Sequence, residues 1–142
     1  MTAPFSWTTP VRFSDVDHAG IMYYPRFFHL FHLAFEELWR ARMGARAYVE
    51  LLDVDRIGFP AVRAECDFKA PLRFGEDATV ELSISRMGRT SITFHYRVVR
   101  ASDRVLAAVG SVVCAIVDLA KFVAVPAPEG VVAMLADLVE AG

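Results

Sequence analysis

The segment from Tyr24 to Met43 constrains the fold more than any other part of the sequence. Its apolar side chains recur at steps of three and four residues, namely Phe27, Phe28, Phe31, Phe35 and Leu38. This is the period of an α-helix. Pro25 suits the first helical position, and Gly44 is a typical stop signal. Because a helix this apolar must be enclosed on most sides, the rest of the chain has to fold around it.

Beyond Gly58 the apolar residues alternate with polar ones, which is typical of antiparallel β-strands covered on one face. The apolar positions are Val62, Ala64, Cys66 and Phe68, then Val80, Leu82 and Ile84, then Ile92, Phe94, Tyr96 and Val98. The segment from Val105 to Val117 is apolar on both faces. It predicts a long central strand, or a strand whose outer face contacts another subunit.

Three shorter segments complete the predicted architecture. Residues 6–14 predict a short first strand, residues 47–53 an additional helical turn, and residues 129–141 a short amphipathic helix. One long apolar helix and one antiparallel sheet make a two-layer α+β fold. We expect a single domain over residues 1–142, with the sheet curled around the helix to cover its phenylalanines.

Composition excludes several classes of protein. The longest run without Asp, Glu, Lys, Arg or His has only thirteen residues, from Val105 to Val117, which is too short to cross a membrane. The net charge of -2 argues against a nucleic-acid partner. The N-terminal residues show no secretory signal, and the two cysteines, Cys66 and Cys114, suggest buried free thiols. We therefore expect a cytoplasmic location and no membrane association.

The apolar content of the chain is high. Counting glycine and omitting tyrosine, about 58% of residues are apolar, compared with about 45–50% in typical globular proteins. Either the core is unusually complete, or another subunit covers part of the surface.

The loop before the long helix is the densest group of reactive side chains. Asp15, Asp17 and His18 lie within four residues and lead into the helix N-terminus. Unpaired N–H groups and the positive end of the dipole at such a terminus can polarise a carbonyl, while a carboxylate attacks it or activates water. Carboxylates in this position also commonly cap helices or form turns.

The same loop carries a family resemblance. Its pattern is Asp15-x-Asp17-x-x-Gly20-Ile-x-Tyr23-Tyr24-Pro25-x-Phe27. Followed by the long helix and a five-stranded antiparallel sheet, this pattern resembles the hotdog-fold acyl-CoA thioesterases, in particular the 4-hydroxybenzoyl-CoA thioesterase branch. The resemblance covers nearly the whole chain. It implies a hotdog fold, in which the sheet wraps around the central helix, and hydrolysis of an acyl-CoA or aroyl-CoA without a metal or other cofactor.

The resemblance also implies roles for individual residues. Asp17 is the expected catalytic carboxylate, acting as nucleophile or as general base, and the backbone N–H of Tyr24 is the expected oxyanion donor. Asp15 corresponds to a second aspartate that braces the loop. Gly20 allows a backbone turn or close approach of the ligand.

Further residues are expected to contact the substrate. His18 stands where hydroxybenzoyl-specific members have proline, and His32 is a polar group that could tune acyl recognition. In the turn between two strands, Arg89 and Ser91 are candidates for binding CoA, often from a neighbouring subunit in this family. Basic residues elsewhere are also candidates, namely Lys69, Arg73 and Arg86.

The loop differs at two positions from that of a second branch of the family, the YbgC-like thioesterases. Those proteins have a histidine at the position of Tyr24 and a tyrosine at the position of Phe13, so a histidine-assisted mechanism is not supported here.

Other functions remain open at this point. A hotdog hydratase or dehydratase pairs an Asp with a His in a differently spaced motif, and a non-catalytic module would bind acyl-CoA without releasing the thiol. The acyl group could also be carried by an acyl carrier protein instead of CoA. Hotdog sheets pair edge to edge, and dimers commonly join further, so the apolar surplus together with the resemblance predicts a homotetramer.

Overall fold

The computed structural model describes residues 3–140, and a five-stranded antiparallel sheet forms its main layer. The strands of this sheet are β1 (Phe5–Pro10), β3 (Ala61–Phe68), β4 (Asp77–Met87), β5 (Ser91–Arg100) and β6 (Leu106–Ala115). Their spatial order is β1-β4-β5-β6-β3, with every neighbouring pair antiparallel. The predicted α+β class and five-stranded sheet are confirmed.

The long helix α1 (Pro25–Met43) packs against one face of this sheet. Pro25 is its first residue, and Gly44 ends it with a φ of 101°, a conformation that favours glycine. The apolar stripe predicted from the sequence is buried, including Phe27, Phe31 and Leu38. The predicted helix is therefore confirmed, with its beginning shifted by one residue.

The alternation predicted in the strands is confirmed for β4 and β5. For β3 the predicted covered face is wrong, because Val62, Ala64 and Phe68 are exposed and Cys66 is only half-buried in this edge strand. On the face towards α1, three residues of β4 and four of β5 are almost fully buried, namely Val80, Leu82, Ile84, Ile92, Phe94, Tyr96 and Val98. The polar residues between them are mostly more exposed and lie on the opposite face. The apolar face of the sheet and the stripe of α1 form one core cluster.

The contact between helix and sheet is closest at Gly110. Phe31 stacks on Tyr96, with ring centroids 4.6 Å apart and an interplanar angle of 10°. Tyr96 is paired with Gly110 on β6. A Cβ atom at Gly110 would lie 2.5 Å from the backbone oxygen of Glu65 and 2.7 Å from the Phe31 ring. Only glycine therefore allows the helix to approach β6 this closely.

Short elements surround this layer. A three-stranded sheet consists of β2 (Ile57–Gly58), β7 (Val117–Asp118) and β8 (Val123–Ala124). The remaining helical segments are α2 (Ala47–Glu50), a π-helical turn (Leu51–Asp55), α3 (Glu129–Leu135) and 3₁₀ turns at Phe13–Asp15 and Ala136–Leu138. Among residues 3–140, no helix is long and apolar enough to cross a membrane.

Several predicted boundaries were wrong. The first strand ends at Pro10 instead of residue 14, because a 3₁₀ turn begins at Phe13. The apolar segment up to Val117 is divided into β6 and β7, and β6 is an interior strand between β5 and the edge strand β3, as predicted for a central strand. The terminal helix ends before Ala141, which lies outside the described residues.

The edge strand β3 is largely uncovered. Seven of its eight residues are exposed, and Val62 and Phe68 expose 66% and 49% of their surface. An open strand edge of this length is a template for pairing with another strand.

Both cysteines are free thiols, as predicted. Burial raises the pKa of Cys114 to about 11. Burial, together with the charge of Asp67, raises the pKa of Cys66 to about 11 as well. Cys114 is buried and Cys66 is half-buried, so the prediction of burial holds fully for the former only.

Replacing Gly110 with alanine tests the close contact. We expect Gly110→Ala to lower the free energy of unfolding by about 1–3 kcal/mol, because the new Cβ meets backbone and a packed ring. Chemical denaturation measures this change. Gly130→Ala is the matched control, since nothing lies within 4 Å of the added Cβ and α3 gains a better helix former. An equal effect of both substitutions would contradict the interpretation.

Candidate active site

The loop from Val16 to Met22 folds back on itself before α1. These two residues form an antiparallel bridge. Inside it, the N–H of Asp17 donates to the carbonyl of Ile21 at 3.0 Å, and the N–H of Gly20 donates to the carbonyl of Asp17 at 3.0 Å. Gly20 has a φ of 82°, so the turn itself favours glycine at this position.

The Asp17 side chain is exposed and only partly engaged. Its Oδ1 accepts a hydrogen bond of 2.8 Å from the N–H of Ala19, which fixes the orientation of the carboxylate. Its Oδ2 accepts no hydrogen bond from residues 3–140. One carboxylate oxygen is thus held by the loop, and the other is available to a substrate or to water.

The backbone at Tyr24 presents a free N–H at the start of α1. Pro25 has no N–H, while the N–H groups of Arg26 and Phe27 donate to the carbonyls of Tyr23 and Tyr24. Within the described part of the chain, the N–H of Tyr24 has no hydrogen-bond partner. A free amide at the positive end of a helix can donate to a developing negative charge on oxygen.

Asp15 is the structural anchor of the loop. It is only 5% exposed, and its Oδ2 accepts the backbone N–H of Arg12 at 2.9 Å. Its Oδ1 accepts Nε and Nη2 of Arg26 at 3.0 and 2.8 Å. Its carbonyl accepts the N–H of Tyr23. Asp15 therefore ties the loop to the first turn of α1, which is the bracing role expected from the sequence.

A groove beside Tyr24 leads from this loop to the edge of the sheet. It has a volume of about 350 Å³, and Lys69 is its cationic residue. The ring of Tyr24 lies 6.1 Å from that of Phe68, at the end of β3, and the ring of Phe27 lies 5.5 Å from it. The loop carrying Asp17 thus adjoins the open edge strand.

A second groove, which we call the aromatic groove, lies between the middle of α1 and the start of β3. Its volume is about 350 Å³, and its main walls are Phe28, Phe35, Tyr48, Phe59 and Ala61. Burial raises the pKa of Tyr48 and Tyr96, which also lines the groove, so both phenols are neutral donors at neutral pH. These tyrosines and Phe59 were not predicted as lining residues, because only tertiary packing brings them together.

His32 lines the aromatic groove and not the groove beside Tyr24. Its side chain is 55% exposed and pairs with Glu36. Among residues 3–140, no three His, Cys, Asp or Glu side chains are grouped as a metal site.

The remaining predicted contacts lie apart from Asp17 in one chain. Arg89 lies in the β4–β5 turn, and Ser91 is the first residue of β5. The loop adjoins the opposite end of β4, where the N–H of Val11 donates to the carbonyl of Glu76. The two ends of this eleven-residue strand are roughly 30 Å apart. Arg89 and His18 are exposed and form no hydrogen bond or ion pair with the described residues.

Comparison with known proteins identifies the family. The thioesterase-like superfamily matches residues 11–135, so this chain belongs to that superfamily and the resemblance drawn from the loop is confirmed. A 1,4-dihydroxy-2-naphthoyl-CoA hydrolase from Synechococcus elongatus is 28% identical over 95 residues, covering 67% of this chain and 69% of that protein. The acyl-CoA thioester hydrolase YbgC of Escherichia coli O6:H1 is 27% identical over 107 residues, covering 74% and 76%.

A solved structure agrees with the hotdog fold. A gentisyl-coenzyme A thioesterase superimposes with a TM-score of 0.78 and 27% sequence identity, covering 93% of this chain and 99% of that one.

The Asp15–Arg26 pair is expected to stabilise the protein measurably. A double-mutant cycle with Asp15→Ala and Arg26→Ala should give a coupling free energy of about 2 kcal/mol, since two guanidinium N–H groups of Arg26 donate to one carboxylate oxygen and Asp15 is buried. Thermal or urea denaturation of the four proteins measures it. The exposed Glu37–Arg40 pair on α1 is the control and should show no measurable coupling. Equal couplings for both pairs would contradict the anchoring role.

Proposed function

We propose that this protein is an enzyme that hydrolyses an acyl-CoA thioester to the free acid and CoA, with Asp17 as its catalytic carboxylate. The observation that carries the proposal concerns one short loop at a helix N-terminus. There Asp17 has one carboxylate oxygen, and Tyr24 a backbone N–H, that form no hydrogen bond with residues 3–140. The names of the relatives from Synechococcus elongatus and Escherichia coli support the same reaction.

In this mechanism, the N–H of Tyr24 donates to the thioester oxygen and stabilises the negative charge that develops there. Asp17 then acts in one of two ways. As a nucleophile it attacks the carbonyl carbon, expels the CoA thiolate and forms a mixed anhydride that water hydrolyses. As a general base it removes a proton from the attacking water. A thiolate is a good leaving group, so neither route needs strong acid assistance.

The aromatic groove is the proposed acyl site. Its walls of phenylalanine and tyrosine suit a flat ring, and its volume lies within the range of small-molecule sites. The names of two similar proteins, a 1,4-dihydroxy-2-naphthoyl-CoA hydrolase and a gentisyl-coenzyme A thioesterase, favour an aromatic acyl group. His32 lines the groove and is the proposed partner for a polar substituent on that ring.

The complete site requires two copies of the chain. If two β3 strands pair antiparallel across a two-fold axis, the Phe68 end of one strand meets the Ala61 end of the other. Phe68 contacts Tyr24, and Ala61 lines the aromatic groove. Such a dimer places the Asp17 loop of one copy beside the aromatic groove, and thus His32, of the second.

The antiparallel pairing of two β3 strands also explains how Arg89, which is far from Asp17 in one chain, could reach the same site. It brings the β4–β5 turn of the second copy, with Arg89 and Ser91, to the end of the sheet where the Asp17 loop lies. There the guanidinium can bind a CoA phosphate. Half-buried Val109 and Val113 on the outer face of β6 offer an apolar surface on which two dimers form a homotetramer.

Substituting Asp17 tests the catalytic proposal. We expect Asp17→Asn to lower kcat for acyl-CoA hydrolysis at least about 100-fold, since the variant can neither attack nor accept a proton. The assay is spectrophotometric detection of thiol release from aromatic, short-chain and medium-chain acyl-CoAs, with circular dichroism to verify folding.

Asp53→Asn provides the matched control, because Asp53 is an exposed carboxylate away from the loop and both grooves. Unchanged turnover in folded Asp17→Asn would remove Asp17 from the mechanism. Tight binding of acyl-CoA by the wild-type protein without thiol release would indicate a binding module instead.

The edge-strand dimer is tested at Val62. We expect Val62→Asp to shift the protein to monomers and to abolish activity, since a charge would replace an exposed apolar residue at the pairing edge. Sedimentation velocity and thiol release measure both effects. Val54→Asp, a substitution at a position 74% exposed and outside β3, should change neither. A wild-type protein that is active as a monomer would disprove the two-copy site.

A further inference from the structure

A third groove lies at the C-terminal end of α1, and the proposed reaction does not use it. We call it the end groove. Its volume is about 530 Å³, and it lies between the residues that follow α1 and the beginning of α3. Met43, Leu51 and Val131 form its apolar walls, and Trp39 forms the side towards the interior of the protein.

Aromatic rings in contact lie between the end groove and the aromatic groove. Trp39 lines the end groove, while Tyr48 and Phe59 line the aromatic groove. The Trp39 ring lies 5.3 Å from that of Tyr48, at an interplanar angle of 33°, and 6.1 Å from that of Phe59, at 41°. Two ring layers in contact therefore lie between one open space and the other.

The indole N–H of Trp39 lowers the stability of the folded protein. The indole Nε1 of Trp39 is buried and has no hydrogen-bond partner among residues 3–140. Trp39 itself is 2% exposed. A buried donor without an acceptor has an energetic cost, and a phenylalanine at this position would avoid it. The additional width of the indole is the property that a phenylalanine would lack.

We propose that Trp39 and Tyr48 form a partition that limits the length of the acyl group. The partition closes the inner end of the aromatic groove, so that compact aromatic acyl groups fit and long alkyl chains do not. This inference rests on the proposed function, because it takes the aromatic groove as the acyl site. It assigns specificity to residues that touch neither Asp17 nor the thioester.

The experiment removes the rings in two steps. Tyr48→Ala deepens the aromatic groove as far as Trp39, and adding Trp39→Ala connects it to the end groove. The matched controls Tyr48→Phe and Trp39→Phe keep a ring at each position. Steady-state kinetics give kcat/KM for benzoyl-CoA and dodecanoyl-CoA with each protein.

We expect the ratio of kcat/KM for dodecanoyl-CoA to that for benzoyl-CoA to rise at least about tenfold in the double variant, since added methylenes gain a pocket. The single alanine variant should show a smaller rise, Tyr48→Phe should keep the wild-type ratio, and Trp39→Phe, whose ring is narrower, should raise the ratio less than Tyr48→Ala does. A folded double variant with an unchanged ratio would overturn the partition. If alanine at residue 48 prevents folding, Tyr48→Leu removes the ring and keeps an apolar contact.

A binding measurement separates this inference from the proposed reaction. Calorimetry with the non-hydrolysable thioether S-dodecyl-CoA reports access to the end groove without turnover. If the wild-type protein hydrolyses no acyl-CoA, the proposed function fails, but tighter thioether binding by the double variant would still support the partition. If hydrolysis occurs and neither the ratio nor thioether binding changes, only the partition fails.

Discussion

The packing of Phe31 over the Tyr96–Gly110 pair determines where the reactive loop lies. Because a side chain at Gly110 would collide with this ring, the helix has one close position on the sheet. That position places the first turn of α1 beside Phe68 and its middle beside Ala61. The loop and the aromatic groove consequently lie at the two ends of the same open strand, which explains why one core contact controls both halves of the proposed site.

The two aspartates of the loop, Asp15 and Asp17, differ in burial and in hydrogen bonding. Asp15 is buried and satisfied by Arg26 and a backbone N–H, so its charge stabilises the loop and is not available for chemistry. Asp17 is exposed, and one of its oxygens has no partner among residues 3–140. Two residues of identical chemistry, two positions apart, therefore differ in role because the surrounding chain accepts the charge of one and leaves the other to solvent.

The sequence predicted most of the fold and the identity of the loop, but not how the site is distributed in space. The spacing of the apolar residues predicted α1 and the strands, since periodicity reports which face is buried. The pairing of Arg26 with Asp15, eleven residues apart, has no local signal. The position of Arg89 at the end of β4 away from the loop follows from the sheet topology, and the ring contact between Trp39 and Tyr48 follows from tertiary packing.

The two raised cysteine pKa values have a practical consequence for assays. Only a thiolate reacts readily with thiol-detecting dyes and alkylating agents. With pKa values of about 11, Cys66 and Cys114 are ionised in roughly one molecule in ten thousand at pH 7. A dye that reports released CoA would therefore have little competing reaction with the protein. Slow labelling also makes these residues poor targets for covalent inhibitors, even though Cys114 lines the aromatic groove.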